Sequence, residues 1–122
     1  MIKEILIVGA GSFLGGAARY IVSLLLRTAG NGFPWATFTV NILGSLLIGL
    51  LWGITVRSTN LPSWFSLFLM IGFCGGFTTF STFSKEGLTL LQSDHFLSFA
   101  LYTIGSVVLG IGAVVLGYMT TK

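Results

Sequence analysis

The stretch "GFCGGFTTFSTFSKE", Gly72–Glu86, decides the fold of this chain. It sets two adjacent glycines and a series of threonines and serines among phenylalanines, inside a segment otherwise oily enough to cross a bilayer. Gly75 and Gly76, followed by Phe77, Thr78 and Thr79, place poor helix formers in the middle of that span. Irregular backbone at membrane depth persists only where protein or a water-filled cavity satisfies its polar groups. The stretch therefore predicts a helix broken near its middle, whose exposed carbonyls can coordinate a cation and whose freed amides can receive an anion.

Outward from this segment the chain is built for lipid. Of its 122 residues, 54% are apolar and only 7% charged, with a mean hydropathy of +0.98, whereas soluble domains carry roughly 25% charged residues. Apolar stretches run from about Ile5 to Leu26, Trp35 to Val56, Ser63 to Leu91 and Phe96 to Met119. Each is long enough to span a bilayer, which takes about 20 residues. The separators "RTAGNGFP", "RSTNLP" and "QSDH" are polar and turn-forming, and Pro34 and Pro62 stand where a helix start loses no hydrogen bond. Four membrane helices with short connections follow, with both ends on one side and no room for a soluble domain. The first apolar stretch continues through Arg19 without a small-residue cleavage site, so it reads as a retained helix rather than a signal peptide.

Several function classes fall away. The six cations, Lys3, Arg19, Arg27, Arg57, Lys85 and Lys122, form no run or stripe, so nucleic-acid binding has no electrostatic footprint. A lone Cys74 gives neither an internal disulfide nor metal-ligand spacing, and the lone His95 reads as a solvated or helix-start residue. "ILIVGAGSFLGGAARY" imitates a dinucleotide-binding turn, but the glycine spacing is wrong and no acid follows about 20 residues on. No acid/base pair or nucleophile constellation is present, so an enzyme is not implied.

Glycines fall inside the spans. Gly11-xxx-Gly15, Gly49-xxx-Gly53, Gly72-xxx-Gly76 and Ser106-xxx-Gly110 fit the small-xxx-small pattern of closely packed membrane helices. The chain has no internal repeat, and its charges give a weak positive-inside bias: Lys3, Arg57 and Lys122 lie on one side, Arg27 and Lys85 towards the other. Such a chain can insert both ways, and pairing with an inverted copy supplies the symmetry that other transport proteins build from inverted halves.

The polar residues inside the spans have two readings each. Arg19 either snorkels towards the interface or lines an aqueous vestibule, and in both cases its charge favours an anion. Thr37, Asn41 and Ser45 form one polar stripe on the second helix; the Asn41 amide either binds a neighbouring helix or donates to a passing anion. Phe80 and Phe83 share a face, either as packing or as electropositive ring edges beside a hydroxyl track. Tyr102, Thr103 and Ser106 make a smaller polar group on the fourth helix.

"GGFTTFSTFSKE" after the third span begins, "VNILGS" in the second and "GGAARY" in the first together resemble the Fluc (CrcB) family of small fluoride channels. The resemblance covers essentially the whole chain, and the order G-G-x-[TS]-T-F-S-T-F is highly specific. It implies an all-α integral membrane protein with one four-helix channel subunit over 1–122, its third helix broken, assembled as an antiparallel, dual-topology homodimer in the cell inner (plasma) membrane. Fluoride and the lipid bilayer are the implied partners, with a structural sodium ion (Na+) at the dimer interface. By resemblance, Asn41 is the pore asparagine, Phe80 and Phe83 flank the fluoride pathway, and the carbonyls of Gly75 and Thr78 hold the sodium. Thr37, Thr82, Glu86, Tyr102 and Ser106 resemble further pathway positions, and Arg19 a vestibule or structural arginine. One helical turn beyond Ser106 the chain has Gly110, which shortens the hydroxyl track. The competing expectations are a small multidrug-type cation/proton antiporter, which needs an acid in the first helix where this chain has Arg19, and a non-transporting assembly subunit.

Overall fold

A computed structural model of the protein describes residues 1–26 and 32–121. Arg27 and Lys122, which enter the charge balance above, lie outside the described residues. The described chain is helical, with no strand: α1 at Ile2–Leu26, α2 at Trp35–Arg57, α3 over 63–77, α4 at Phe80–Gln92 and α5 at Phe96–Thr120. α3 and α4 form one span, so four helical spans are long and apolar enough to cross a membrane. At 1.5 Å per residue the uninterrupted helices reach about 35 Å, enough for a hydrocarbon core of about 30 Å. The chain is a multi-pass membrane protein.

Pro34 and Pro62 each stand immediately before a helix, and their carbonyls accept from Phe38 N–H and Phe65 N–H, both at 3.1 Å. At the end of α4, Asp94 takes a left-handed conformation (φ 61°). There Asp94 N–H donates to Leu91 O at 3.2 Å and His95 N–H to Leu90 O at 2.9 Å, closing the helix before α5 begins.

The interior is unusual in being made largely of glycine, while large apolar side chains such as Phe13, Leu25 and Leu97 point outward. Lipid offers no hydrophobic drive for helices to associate, so close backbone approach must do it. Two parallel pairs result. In the first, Gly11 and Gly15 of α1 lie against the backbone of α3, where a Cβ at Gly15 would overlap the Phe73 carbonyl. In the second, Gly49 of α2 meets Val114 of α5, and Gly117 of α5 meets the carbonyl of Leu46. The end of this pair is fastened by Arg57, whose Nη1 donates to Gly53 O at 3.1 Å and Thr121 Oγ1 at 2.7 Å. Its guanidinium stands 4.5 Å over the Tyr118 ring, a cation–π contact at the negative ends of both helices.

Three of the four small-residue pairs thus mediate tight packing. Ser106-xxx-Gly110 does not: a Cβ at Gly110 would meet only Ser45 Oγ, at an ordinary 3.6 Å. The reason is that this face of α5 looks across a groove towards α2 rather than onto a helix backbone.

The expected break is present, two residues later than the glycines that suggested it. Gly75–Phe77 is still helical, and the chain turns extended at Thr78 (ψ 162°) and Thr79 (φ −153°). Thr79 then caps α4, its hydroxyl accepting from Thr82 N–H at 3.2 Å. A second irregularity was not expected: Ser66–Cys74 is π-helical. Ser12 Oγ donates to Gly72 O at 3.3 Å within this widened segment, a side chain feeding the backbone ladder from α1.

Candidate functional site

The break opens onto a groove of about 590 Å³ bordered by α2, α3, the start of α4 and α5. Asn41, Gly75, Thr78, Phe80, Phe83 and Ser106 all line it, together with Ser45 and Thr79. Six of the sequence-predicted positions, spread over 66 residues of chain from 41 to 106, are therefore brought together.

Asn41 is the fastener of the break. Its Nδ2 donates to Thr79 O at 3.1 Å, and Thr79 N–H donates to its Oδ1 at 2.8 Å. The two readings of this residue coincide in one geometry: the amide binds a neighbouring segment, yet it faces the groove, and one Nδ2 hydrogen remains beyond the bond to Thr79. Arg19 neither snorkels outward nor reaches this groove. Its Nε donates to Gly76 O at 3.2 Å, placing the cation on the carbonyl end of α3, where the helix dipole is negative.

These contacts rearrange the carbonyls of the broken turn. In a continuous helix the N–H of Thr79 would bond Gly75 O and that of Thr82 would bond Thr78 O. Here the first goes to Asn41 and the second to the Thr79 hydroxyl. The donors that would ordinarily occupy the carbonyls of Gly75 and Thr78 are thus turned elsewhere. Gly75 is exposed, with nothing within 4 Å of the position its Cβ would take. Thr78 Oγ1 and N–H both return to Cys74 O, at 2.9 and 3.0 Å.

Phe80 is 78% exposed and its ring lies 5.9 Å from that of Phe83. Phe83 in turn lies 5.0 Å from Tyr102, which is completely buried. The Tyr102 hydroxyl donates to Glu86 Oε1 at 3.2 Å, and the buried Thr37 stands beside the same phenol. Thr37, Glu86 and Tyr102 therefore form a second polar cluster behind Phe83, outside the groove lining. Thr82 precedes Glu86 by one turn of α4 and is not among the residues lining the groove. Ser106 Oγ is buried at the groove with no hydrogen-bond partner among the described residues, an arrangement that costs free energy unless something fills it. Ser45 of α2 comes close to Gly110, so the place where the hydroxyl track of α5 stops is next to a hydroxyl from α2.

Sequence reasoning missed three parts of this site. Thr79 acts as the cap of α4, which the N-cap preference for threonine before a helix could have found. Met70 and Cys74 enter the lining from the π-helical segment, where Met70 Sδ accepts from Thr55 and Ser66 hydroxyls at 3.8 Å. Phe33 and Phe38 extend the ring series, at 5.4 and 6.4 Å from Tyr102. Among the described residues no group of three or more His, Cys, Asp or Glu side chains is placed to hold a metal.

Residues 6–118 match the family model described as CrcB-like protein, Camphor Resistance (CrcB). The chain belongs to this family. A relative from Chlorobium luteolum is 49% identical over 98% of this chain and 92% of its own length. One from Phocaeicola vulgatus is 48% identical over 94% of this chain and 95% of its own, and one from Azobacteroides pseudotrichonymphae is 41% identical over 100% and 98%. All three are named "Fluoride-specific ion channel FluC". CrcB membership thus extends over the groove, the break and both helix pairs together.

Proposed function

We propose that this chain is the subunit of a passive, fluoride-selective channel of the cell membrane, which lets fluoride leave down its gradient and catalyses no covalent reaction. The reading is carried by one observation, an open groove lined by the fastened Asn41, by Phe80 and Phe83, and by Ser106, whose buried hydroxyl has no hydrogen-bond partner among the described residues. Fluoride is small and strongly hydrated, so a pathway must replace its water with closely spaced donors while binding it weakly enough to release it. Hydroxyls, an amide N–H and the electropositive edges of aromatic rings suit that task. Near-full-length relatives carrying the name of a fluoride-specific channel support the same reading. Thr37, Thr82, Glu86 and Tyr102 continue the polar route past Phe83, and Arg19 is a structural cation at the break.

The subunit works as an antiparallel homodimer with an inverted copy of itself. Exposed apolar surface on every helix, the lack of an internal repeat and the weak charge bias support that arrangement. A sodium ion at the dimer interface fits the carbonyls of Gly75 and Thr78, because their usual helical donors are engaged by Asn41 and Thr79 and the donor set is oxygen only. Such an ion would supply positive charge beside the break, while the chain's own residues hold those carbonyls in place.

Purified protein in liposomes, with potassium and an ionophore to carry the compensating charge, tests passive transport. Fluoride efflux should proceed without a pH gradient and be unaltered by imposing one. Efflux that requires a proton gradient would favour an antiporter, and absence of efflux a non-transporting subunit.

A further inference from the structure

A second groove, of about 590 Å³, runs down the outside of the α1–α3 pair. Ile2, Lys3, Leu6, Ile7 and Ala10 form one wall and Phe68 of α3 the other. At about 100° per residue, those five positions fall within one sector of α1 about 140° wide. Gly11 and Gly15, which meet the backbone of α3, lie just beyond its Ile7 edge. The groove therefore follows the seam between the two helices. Its deepest lining residue on α1, Ala10, adjoins Gly11, whose Cβ would overlap the Phe68 carbonyl.

The groove is polar at one end only. Lys3 stands where α1 begins, and every other lining side chain is apolar. From Ile2 to Ala10 the wall is about 12 Å long, against a hydrocarbon half-thickness of about 15 Å. It thus has the depth of one leaflet, with a cation at headgroup level. Lys3 is exposed, and among the described residues its ammonium forms no ion pair or hydrogen bond. The adjacent carboxylate does not neutralise it, since Glu4 is held by the terminal ammonium at 2.7 Å. α1 contributes no residue to the groove at the break, where the proposed inverted copy and its sodium would meet this chain. That leaves this flank of α1 facing lipid.

We propose that this groove binds one anionic phospholipid per chain, an acyl chain lying along Leu6, Ile7, Ala10 and Phe68 and the phosphate pairing with Lys3. The apolar slot alone would accept any acyl chain, and the lysine alone any anion. Their juxtaposition selects a lipid with a negative headgroup over a zwitterionic one, whose phosphate carries its own compensating cation. One basic residue at a membrane surface favours an anionic lipid roughly fivefold. The inference is independent of the fluoride reading. It sets a lipid on the seam across which Ser12 and Arg19 reach the carbonyls of α3.

The test is native mass spectrometry of the detergent-purified, assembled protein, titrated with phosphatidylglycerol or with phosphatidylcholine of the same acyl chains. The parent should retain one phosphatidylglycerol per chain roughly fivefold more tightly than phosphatidylcholine; Lys3→Gln should erase that preference and Lys3→Arg should keep it. Ala10→Phe fills the deep end of the groove and should release both lipids, and Ala10→Leu provides a smaller filling if the phenylalanine protein does not assemble. Glycerol phosphate, a headgroup without chains, should displace neither. The proposal fails if Lys3→Gln keeps the preference, if the Ala10 variants bind both lipids as the parent does, or if glycerol phosphate competes. Ala10 variants that lose the parental oligomeric state, while Lys3→Gln keeps it, would assign the flank to a second copy of the chain and overturn the lipid site.

Discussion

Replacing Asn41 by aspartate separates the amide's two duties. The carboxylate keeps an acceptor for Thr79 N–H, now 2.8 Å from Oδ1, but has no donor for Thr79 O, now 3.1 Å from Nδ2. Losing that one bond costs about 1 kcal/mol, and leaving the carbonyl partly desolvated brings the loss to about 1–3 kcal/mol. The charge acts on the ion instead. At an effective dielectric constant of about 20 and a separation of about 5 Å, it raises the energy of a fluoride ion in the groove by about 3 kcal/mol, roughly 150-fold in occupancy. Asn41→Asp should therefore elute as an assembled protein, melt slightly earlier, and lose fluoride efflux by about two orders of magnitude. Asn41→Ala should show the reverse balance, since it abandons both Thr79 groups in the break and is the less stable of the two. Efflux in the aspartate variant within tenfold of the parent, or failure of that variant to assemble, would refute the assignment of Asn41 to the ion path.

Phe80→Ile and Phe83→Ile should each cut fluoride efflux sharply; only Phe83→Ile should lower the melting temperature, by an amount corresponding to about 1 kcal/mol, because Phe83 packs on Tyr102 whereas Phe80 is exposed. Gly15→Ala should destabilise the protein by about 1–3 kcal/mol in thermal unfolding, because its Cβ meets the Phe73 carbonyl, while Gly16→Ala, with open space around it, should be neutral. A tag placed after the C-terminal lysine should be labelled from both faces of the membrane, and labelling from one face alone would exclude the inverted dimer. Exchanging sodium for a bulky organic cation should lower the melting temperature of the assembled protein, and an unchanged value would remove the proposed cation from Gly75 and Thr78.

Much of the architecture was legible because membrane spans are written in local composition. The four apolar stretches start and stop within a few residues of the observed helices, and the glycine pairs on α1, α2 and α3 mark the observed close approaches. The break falls within the stretch that predicted it, Gly75 to Thr79, but which of those residues leave the helix was not legible. Glycine tolerates a helix that is otherwise well packed, and the chain gives way instead at Thr78 and Thr79, where Asn41 takes over the backbone's hydrogen bonds. That partnership spans 38 residues of sequence, a separation over which periodicity carries no information. The π-helical turn at Ser66–Cys74 was not legible at all, because an unbroken apolar run reads the same whether its bonds close on four residues or five. Arg19 and Ser106-xxx-Gly110 show the same limit: their types and spacing were noted, but the contacts they make depend on which neighbour the fold sets opposite them.

The central claim is that this groove passes fluoride and discriminates against larger anions, and selectivity measured in one preparation tests it most directly. Liposomes containing the purified protein, loaded with equal fluoride and chloride and read with two ion-selective electrodes, should release fluoride rapidly on addition of a potassium ionophore and hold their chloride. Comparable release of both ions, or of neither, would contradict the account.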